Sequence, residues 1–79
     1  MGATTRKEMI KQYNLKEEFE YKGVKVYKGM CGINNEESYA WFTYNDYYKS
    51  DMIIRYSTMF TLSWIKHQIT KDLKLGNIK

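Results

Sequence analysis

Cys31 and His67 are the two side chains of this 79-residue chain best suited to nucleophilic chemistry, and there is one of each. A Cys–His pair works when the imidazole takes the thiol proton and a third group orients the imidazole. The spacing identifies no such third group, and a lone histidine near Trp64 reads as a surface residue. One Cys and one His also fall short of the three or four protein ligands that zinc takes. No metal site and no cofactor are expected. Gly29-Met30-Cys31-Gly32 has close glycines but lacks the Lys-Ser/Thr ending of a phosphate loop, so it reads as turn chemistry. Glu17, Glu18 and Glu20, and Glu36 with Glu37, form no compact carboxylate cluster, because adjacent strand residues point to opposite faces. The chain reads as non-catalytic.

The strongest signal is a helix expected from Thr58 to Leu73 with two apolar stripes. Met59, Leu62, Ile65, Ile69 and Leu73 fall on one face at helical spacing and form the natural packing face. Phe60, Trp64, His67 and Lys71 fall on nearly the opposite face. That second stripe is either a wider core or a docking surface for a protein partner or a second copy, since Trp and Phe are favoured anchors of such patches. On the docking reading, Trp64→Ala loses the partner and keeps the fold.

Composition bounds the rest. A chain of 79 residues, 43% hydrophobic and 28% charged, is one globular domain, 1–79, rather than a disordered segment. The formal net charge is +4, and its placement is uneven. Residues 1–51 carry eight basic and eight acidic side chains; residues 52–79 carry Arg55, Lys66, Lys71, Lys74 and Lys79 against Asp72. A basic end can attract nucleic acid or an acidic protein surface. Lysine-rich, arginine-poor usage also fits a low-GC coding sequence. A single cysteine forms no internal disulfide, which suits a reducing compartment. The first residues lack the apolar run of a signal peptide, and Arg6 breaks a myristoylation start. No stretch approaches the run of about 18 apolar residues that a membrane span needs. A cytoplasmic protein is expected, with no membrane association and no small-molecule substrate.

The elements follow from pattern. Thr5 and Glu8 fit a capping box for a short helix over about Arg6 to Tyr13, with Met9, Ile10 and Tyr13 on one face. Glu18 to Lys28 reads as a hairpin: the apolar parity flips across Lys22-Gly23, so a two-residue turn pairs Tyr21 with Val24, Phe19 with Val26 and Glu20 with Lys25. The rival is one long strand with a bulge at Gly23. Ser38 to Tyr44 alternates with apolar residues on both faces, as a central strand does, and Met52 to Tyr56 is a further short strand. Ser57 or Thr58 caps the long helix and Gly76 stops it. Asn77 to Lys79 is expected to fray. The fold class is α+β: a three- or four-stranded antiparallel sheet packed in two layers against a long C-terminal helix, with a short N-terminal helix.

Tyr21, Gly23 and Val24, an aromatic strand, and a helix with Thr61, Leu62, Lys66 and Ile69 give Phe19 to Leu73 a resemblance to small sheet-then-helix domains of phages and mobile elements. The layout also resembles the three-stranded DNA-binding domains of some integrases and of AP2-type regulators, whose sheet enters the major groove. The double-striped helix and the aromatic surplus without chemistry point, on such a domain, to a phage or mobile-element accessory or regulatory protein that acts by binding a protein, as an inhibitor or modulator. The alternative is DNA or RNA binding through Lys25, Tyr27, Lys28, Tyr39, Trp41 and Arg55, together with the basic C-terminal region.

Overall fold

The computed structural model describes residues 5–78. The first four of the residues read for a leader or lipid signal, and Lys79, lie outside the described residues. Helix α1 spans Arg6–Gln12, and its Thr5 cap accepts the Glu8 amide at 3.2 Å, as the capping box requires. Strands β1 (Lys16–Tyr21) and β2 (Val24–Gly29) form the hairpin. Its turn is Lys22-Gly23, both with positive φ, 51° and 81°. That is the type I′ geometry whose twist matches the flanking strands. The register pairs Tyr21 with Val24, Glu20 with Lys25 and Phe19 with Val26, so the bulge reading at Gly23 is overturned. A bulge does occur farther along, at Glu18, where the register shifts between Glu17 and Phe19.

After a short 3-10 turn, Ile33–Asn35, come β3 (Ser38–Asn45) and β4 (Ser50–Ser57). All four strands are antiparallel in the order β1-β2-β3-β4, which makes β3 an interior strand. β3 and β4 pair without interruption from Ser38↔Ser57 to Asn45↔Ser50. β2 and β3 pair only from Tyr27↔Ala40 to Gly29↔Ser38 and part beyond that. Helix α2 spans Leu62–Lys74.

The sheet is covered on both faces, so the architecture has three layers rather than the expected two. On one side, Met9 and Leu15 pack on Cys31, Ala40 and Phe42. On the other, Ile65 and Ile69 of α2 pack on Val24, Val26 and Trp41. The alternation of β3 explains this: Ala40 and Phe42 point to α1, while Trp41 points to α2. Both sets are buried, with Ala40 and Trp41 at 0% exposure. A short helix that is marginal alone is held by that apolar face.

The expected helix start, Thr58, lies four residues before the observed one, Leu62. Ser57 and Thr58 do not cap α2; Thr61 does, accepting the Trp64 amide at 3.2 Å. Pairing with Ser38 draws Ser57 into β4, and its hydroxyl accepts the Met59 amide in the turn that follows. The expected packing stripe is therefore shortened. Ile65 and Ile69 are fully buried, Leu73 is half-buried, and Met59 and Leu62 are exposed. The chain end also differs from expectation. Asn77 does not fray: its carbonyl accepts the Tyr44 amide at 2.7 Å, and Ile78 packs against the α2 core.

One close approach fixes α1 on the sheet. A Cβ at Gly29 would lie 3.1 and 3.2 Å from the carbonyl oxygens of Tyr13 and Asn14, and 2.9 Å from Leu15 Cδ2. Gly29→Ala is therefore expected to push the α1–β1 connection off β2. The cost is about 1–3 kcal/mol, the usual range for overpacking. A urea midpoint equal to that of the native chain would show that the connection can move freely.

Candidate functional site

Tyr56, Phe60 and Trp64 are spaced by four residues, although only Trp64 is helical. Tyr56 ends β4, Phe60 sits in the turn, and Trp64 lies in the first turn of α2. Phe60 and Trp64 stack at 4.2 Å between centroids and 16° between planes. Tyr56 meets both edge-on, at 6.0 Å and 4.9 Å. Beneath them, Tyr56 rests on buried Trp41 at 5.5 Å. Each aromatic pair adds about 0.5–1.5 kcal/mol beyond its area burial. The rings thus form a rigid ledge rooted in the core and open to solvent at Phe60, which is 45% exposed. Met59 beside it is 91% exposed. A groove of about 260 Å³ runs along the ledge, lined by Gly32, Ile33, Glu36, Ser38, Arg55, Tyr56, Ser57 and Phe60.

Of the residues expected on the second stripe, the structure brings Phe60 and Trp64 together. His67 and Lys71 stand exposed on the outward face of α2, beyond the ledge. Trp64 is half-buried, so it belongs both to the core margin and to the surface. Tyr56 is the member that the sequence reading missed. Its signal was the four-residue step to Phe60, hidden because Tyr56 was assigned to a strand.

The residues of the nucleic-acid alternative are divided between the two faces of the sheet. Lys25, Tyr27 and Arg55 share the α1 side; Lys28, Tyr39 and Trp41 share the α2 side. Trp41 is fully buried and its indole Nε1 donates to Asp72 Oδ2 at 2.9 Å, so it offers no surface for stacking a base. Lys25 pairs with Glu17 at 3.3 Å, which holds its ammonium above the usual lysine range. Lys28 pairs with Glu37 at 3.8 Å and lies over the Tyr39 ring. Arg55 donates to the Cys31 carbonyl at 2.8 Å and lies over Tyr13. These cations are occupied within the fold.

A second cleft, of about 370 Å³, opens where β2 and β3 part, lined among others by Arg6, Glu20, Lys25, Tyr27, Phe42 and Ile78. Its two cations are paired, Arg6 with Asp51 at 3.1 Å and Lys25 with Glu17. Lys66 lies over the rings of Phe19 and Tyr21 at 5.8 and 5.5 Å. A hydrogen bond with Thr70, aided by Lys22 and Lys66, holds the Tyr21 phenol below its ordinary range.

Cys31 and His67 lie on opposite sides of the sheet, Cys31 under α1 and His67 on the outward face of α2, so they form no pair. Burial also pushes the Cys31 thiol up, against the need of a nucleophile. Among the described residues, no group of three or more His, Cys, Asp or Glu converges as metal ligands would. No helix among them is long and apolar enough to cross a membrane. Comparison with protein families, with curated proteins and with solved structures gives no match.

Proposed function

We propose that this chain is a non-catalytic binding protein that docks a protein partner on the Tyr56–Phe60–Trp64 ledge. The observation that carries this reading is the stack itself. Large rings held from beneath lose little freedom when a partner covers them, which is what an interface anchor needs. The exposed Met59 and Leu62 give the ledge an apolar surround. The resemblance to sheet-then-helix domains fits an accessory or regulatory protein of a phage or mobile element, the aromatic ledge fits an inhibitor or modulator of its target, and the single cysteine fits the cytoplasm.

The test compares immobilised native chain with Phe60→Ala and Trp64→Ala in capture from a lysate of the source cells, followed by titration of the captured protein. Phe60→Ala is expected to cost about 2 kcal/mol or more of binding, the hot-spot threshold, with little change in melting. Trp64→Ala is expected to abolish capture with the fold kept. Unfolding of Trp64→Ala would return Trp64 to the core, and undiminished binding by Phe60→Ala would remove the ledge from the interface.

One observation favours nucleic acid as a second reading. The outward face of α2 carries His67, Lys71 and Lys74, while the acid Asp72 turns inward to Trp41. Binding that survives Phe60→Ala and collapses with added salt is the signature of that reading.

A further inference from the structure

The two edges of the sheet are built differently. β1 carries the bulge at Glu18 and exposes Lys16, Glu17, Glu18 and Glu20. Bulges and charges are how proteins keep an edge from pairing with another chain. β4 has no bulge, and its two charges, Asp51 and Arg55, are engaged within the chain by Arg6 and the Cys31 carbonyl. It pairs with β3 without a bulge over its whole length, holds no proline or lysine, and is apolar through Met52, Ile53 and Ile54. Among the described residues, the only backbone hydrogen bond reaching β4 from outside the sheet goes to the Ser57 carbonyl at its end.

We propose that two copies of the chain pair antiparallel through β4, about a twofold axis at Ile53, to give one continuous sheet. The register follows from self-complementarity. Antiparallel partners must share a face, so the axis falls on a residue rather than between two. With Ile53 on the axis, Met52 faces Ile54 of the second copy, and Asp51 faces Arg55. Centred on Ile54, the strand would place Ile53 against Arg55 and Asp51 against Ser57. Centred on Met52, it would place Ile53 against Asp51. Of these three registers, the Ile53-centred one sets apolar residues across from each other and opposite charges across from each other, with Asp51 still held by Arg6 and Arg55 by the Cys31 carbonyl of their own copy.

The ends of β4 agree with this arrangement. Tyr47, 87% exposed, lies just before β4, and Met59, 91% exposed, lies just after it. Antiparallel pairing brings the Tyr47-Tyr48 turn of one copy to the Met59-Phe60 turn of the other. Because facing residues keep their face, both α2 helices lie on one side of the joined sheet. The two ledges then flank a seam floored by Met52 and Ile54 of both copies. This pairing uses the strand edge and stands whether or not the ledge takes a partner.

Sedimentation equilibrium over a range of concentrations tests it, with Met52→Lys as the variant. Met52 is 44% exposed, so a lysine there is tolerated by the monomer and places an edge-blocking charge at the seam. The native chain is expected to approach twice its 9.5 kDa mass with rising concentration. Met52→Lys is expected to stay at the single mass with an unchanged circular dichroism spectrum. Independently of that variant's folding, Ile53→Cys under mild oxidation is expected to yield a covalent dimer, because the residue on the axis faces its own copy. Met52→Cys should cross-link far more slowly, and the native chain, with Cys31 buried, not at all. A native chain at the single mass at every concentration overturns the proposal. So does a dimer that survives Met52→Lys and splits with Phe60→Lys, which would move self-association to the ledge and leave the docking reading intact.

Discussion

Trp41→Ala is expected to bring the folded state close to collapse at room temperature. Trp41 sits at the centre of β3 with no exposure, between Val24 and Val26 of β2, Tyr56 of β4, and Ile65 and Ile69 of α2. Its indole also ties the sheet to α2 through Asp72. Truncating a buried tryptophan costs about 3–5 kcal/mol. A chain of this length has a total stability on the order of 4–12 kcal/mol, so the loss is about a quarter of it at least. The expected fall in melting temperature is on the order of 20 °C. Trp41→Phe refills part of the volume but leaves Asp72 without its donor, and should fall between. Asp72→Asn keeps an acceptor at the same place and should be the mildest of the three. A near-native urea midpoint for Trp41→Ala would mean that α2 is not held through this residue, and the assignment of the α2-side core would fail.

The elements that were legible in the sequence are those written in local chemistry. The parity flip across Lys22-Gly23 pointed to the turn and its register, because a one-residue slip would have turned every apolar side chain to the other face, and the strand pairing decided it against a bulge at Gly23. Thr5 with Glu8, and Gly76 with its positive φ of 73°, marked two helix ends. The start of α2 was not legible, because Ser57, Thr58 and Thr61 are all adequate caps. The choice among them is made by β3, which holds Ser57 in the sheet. Of the second stripe, Phe60 and Trp64 meet, yet Phe60 lies in the turn before α2, His67 and Lys71 stand beyond the ledge, and the third ring, Tyr56, lies in a strand. The Trp41–Asp72 bond joins residues far apart in sequence and leaves no local trace. The bulge at Glu18 and the docking of Asn77 and Ile78 are likewise tertiary events.

The third layer was written in the sequence and read too narrowly. Apolar residues on both faces of β3 imply not only an interior strand but two covers, and Met9, Ile10 and Tyr13 of α1 are the second cover. Met9→Ala is therefore expected to cost about 2–5 kcal/mol, as for other buried methionines, although α1 is only seven residues long. Cys31 supplies the readout, since it lies in the same cluster. In the native chain its thiol should react with a disulfide reagent far more slowly than in the unfolded chain. Met9→Ala should raise that rate at least tenfold, since each 1.4 kcal/mol of easier opening is about a factor of ten. The same thiol sets a pH dependence. Burial holds it above its usual range, with the Arg55 guanidinium only partly opposing. The unfolded thiol ionises near pH 8.5, where the folded one still keeps its proton. Above that pH the unfolded chain binds fewer protons, so stability falls as pH rises until the folded thiol ionises too. The Cys31→Ala variant should lose that part of the decline, whatever its stability at neutral pH. A native Cys31 that reacts as fast as a free thiol would place it in solvent and remove α1 from its position over the sheet.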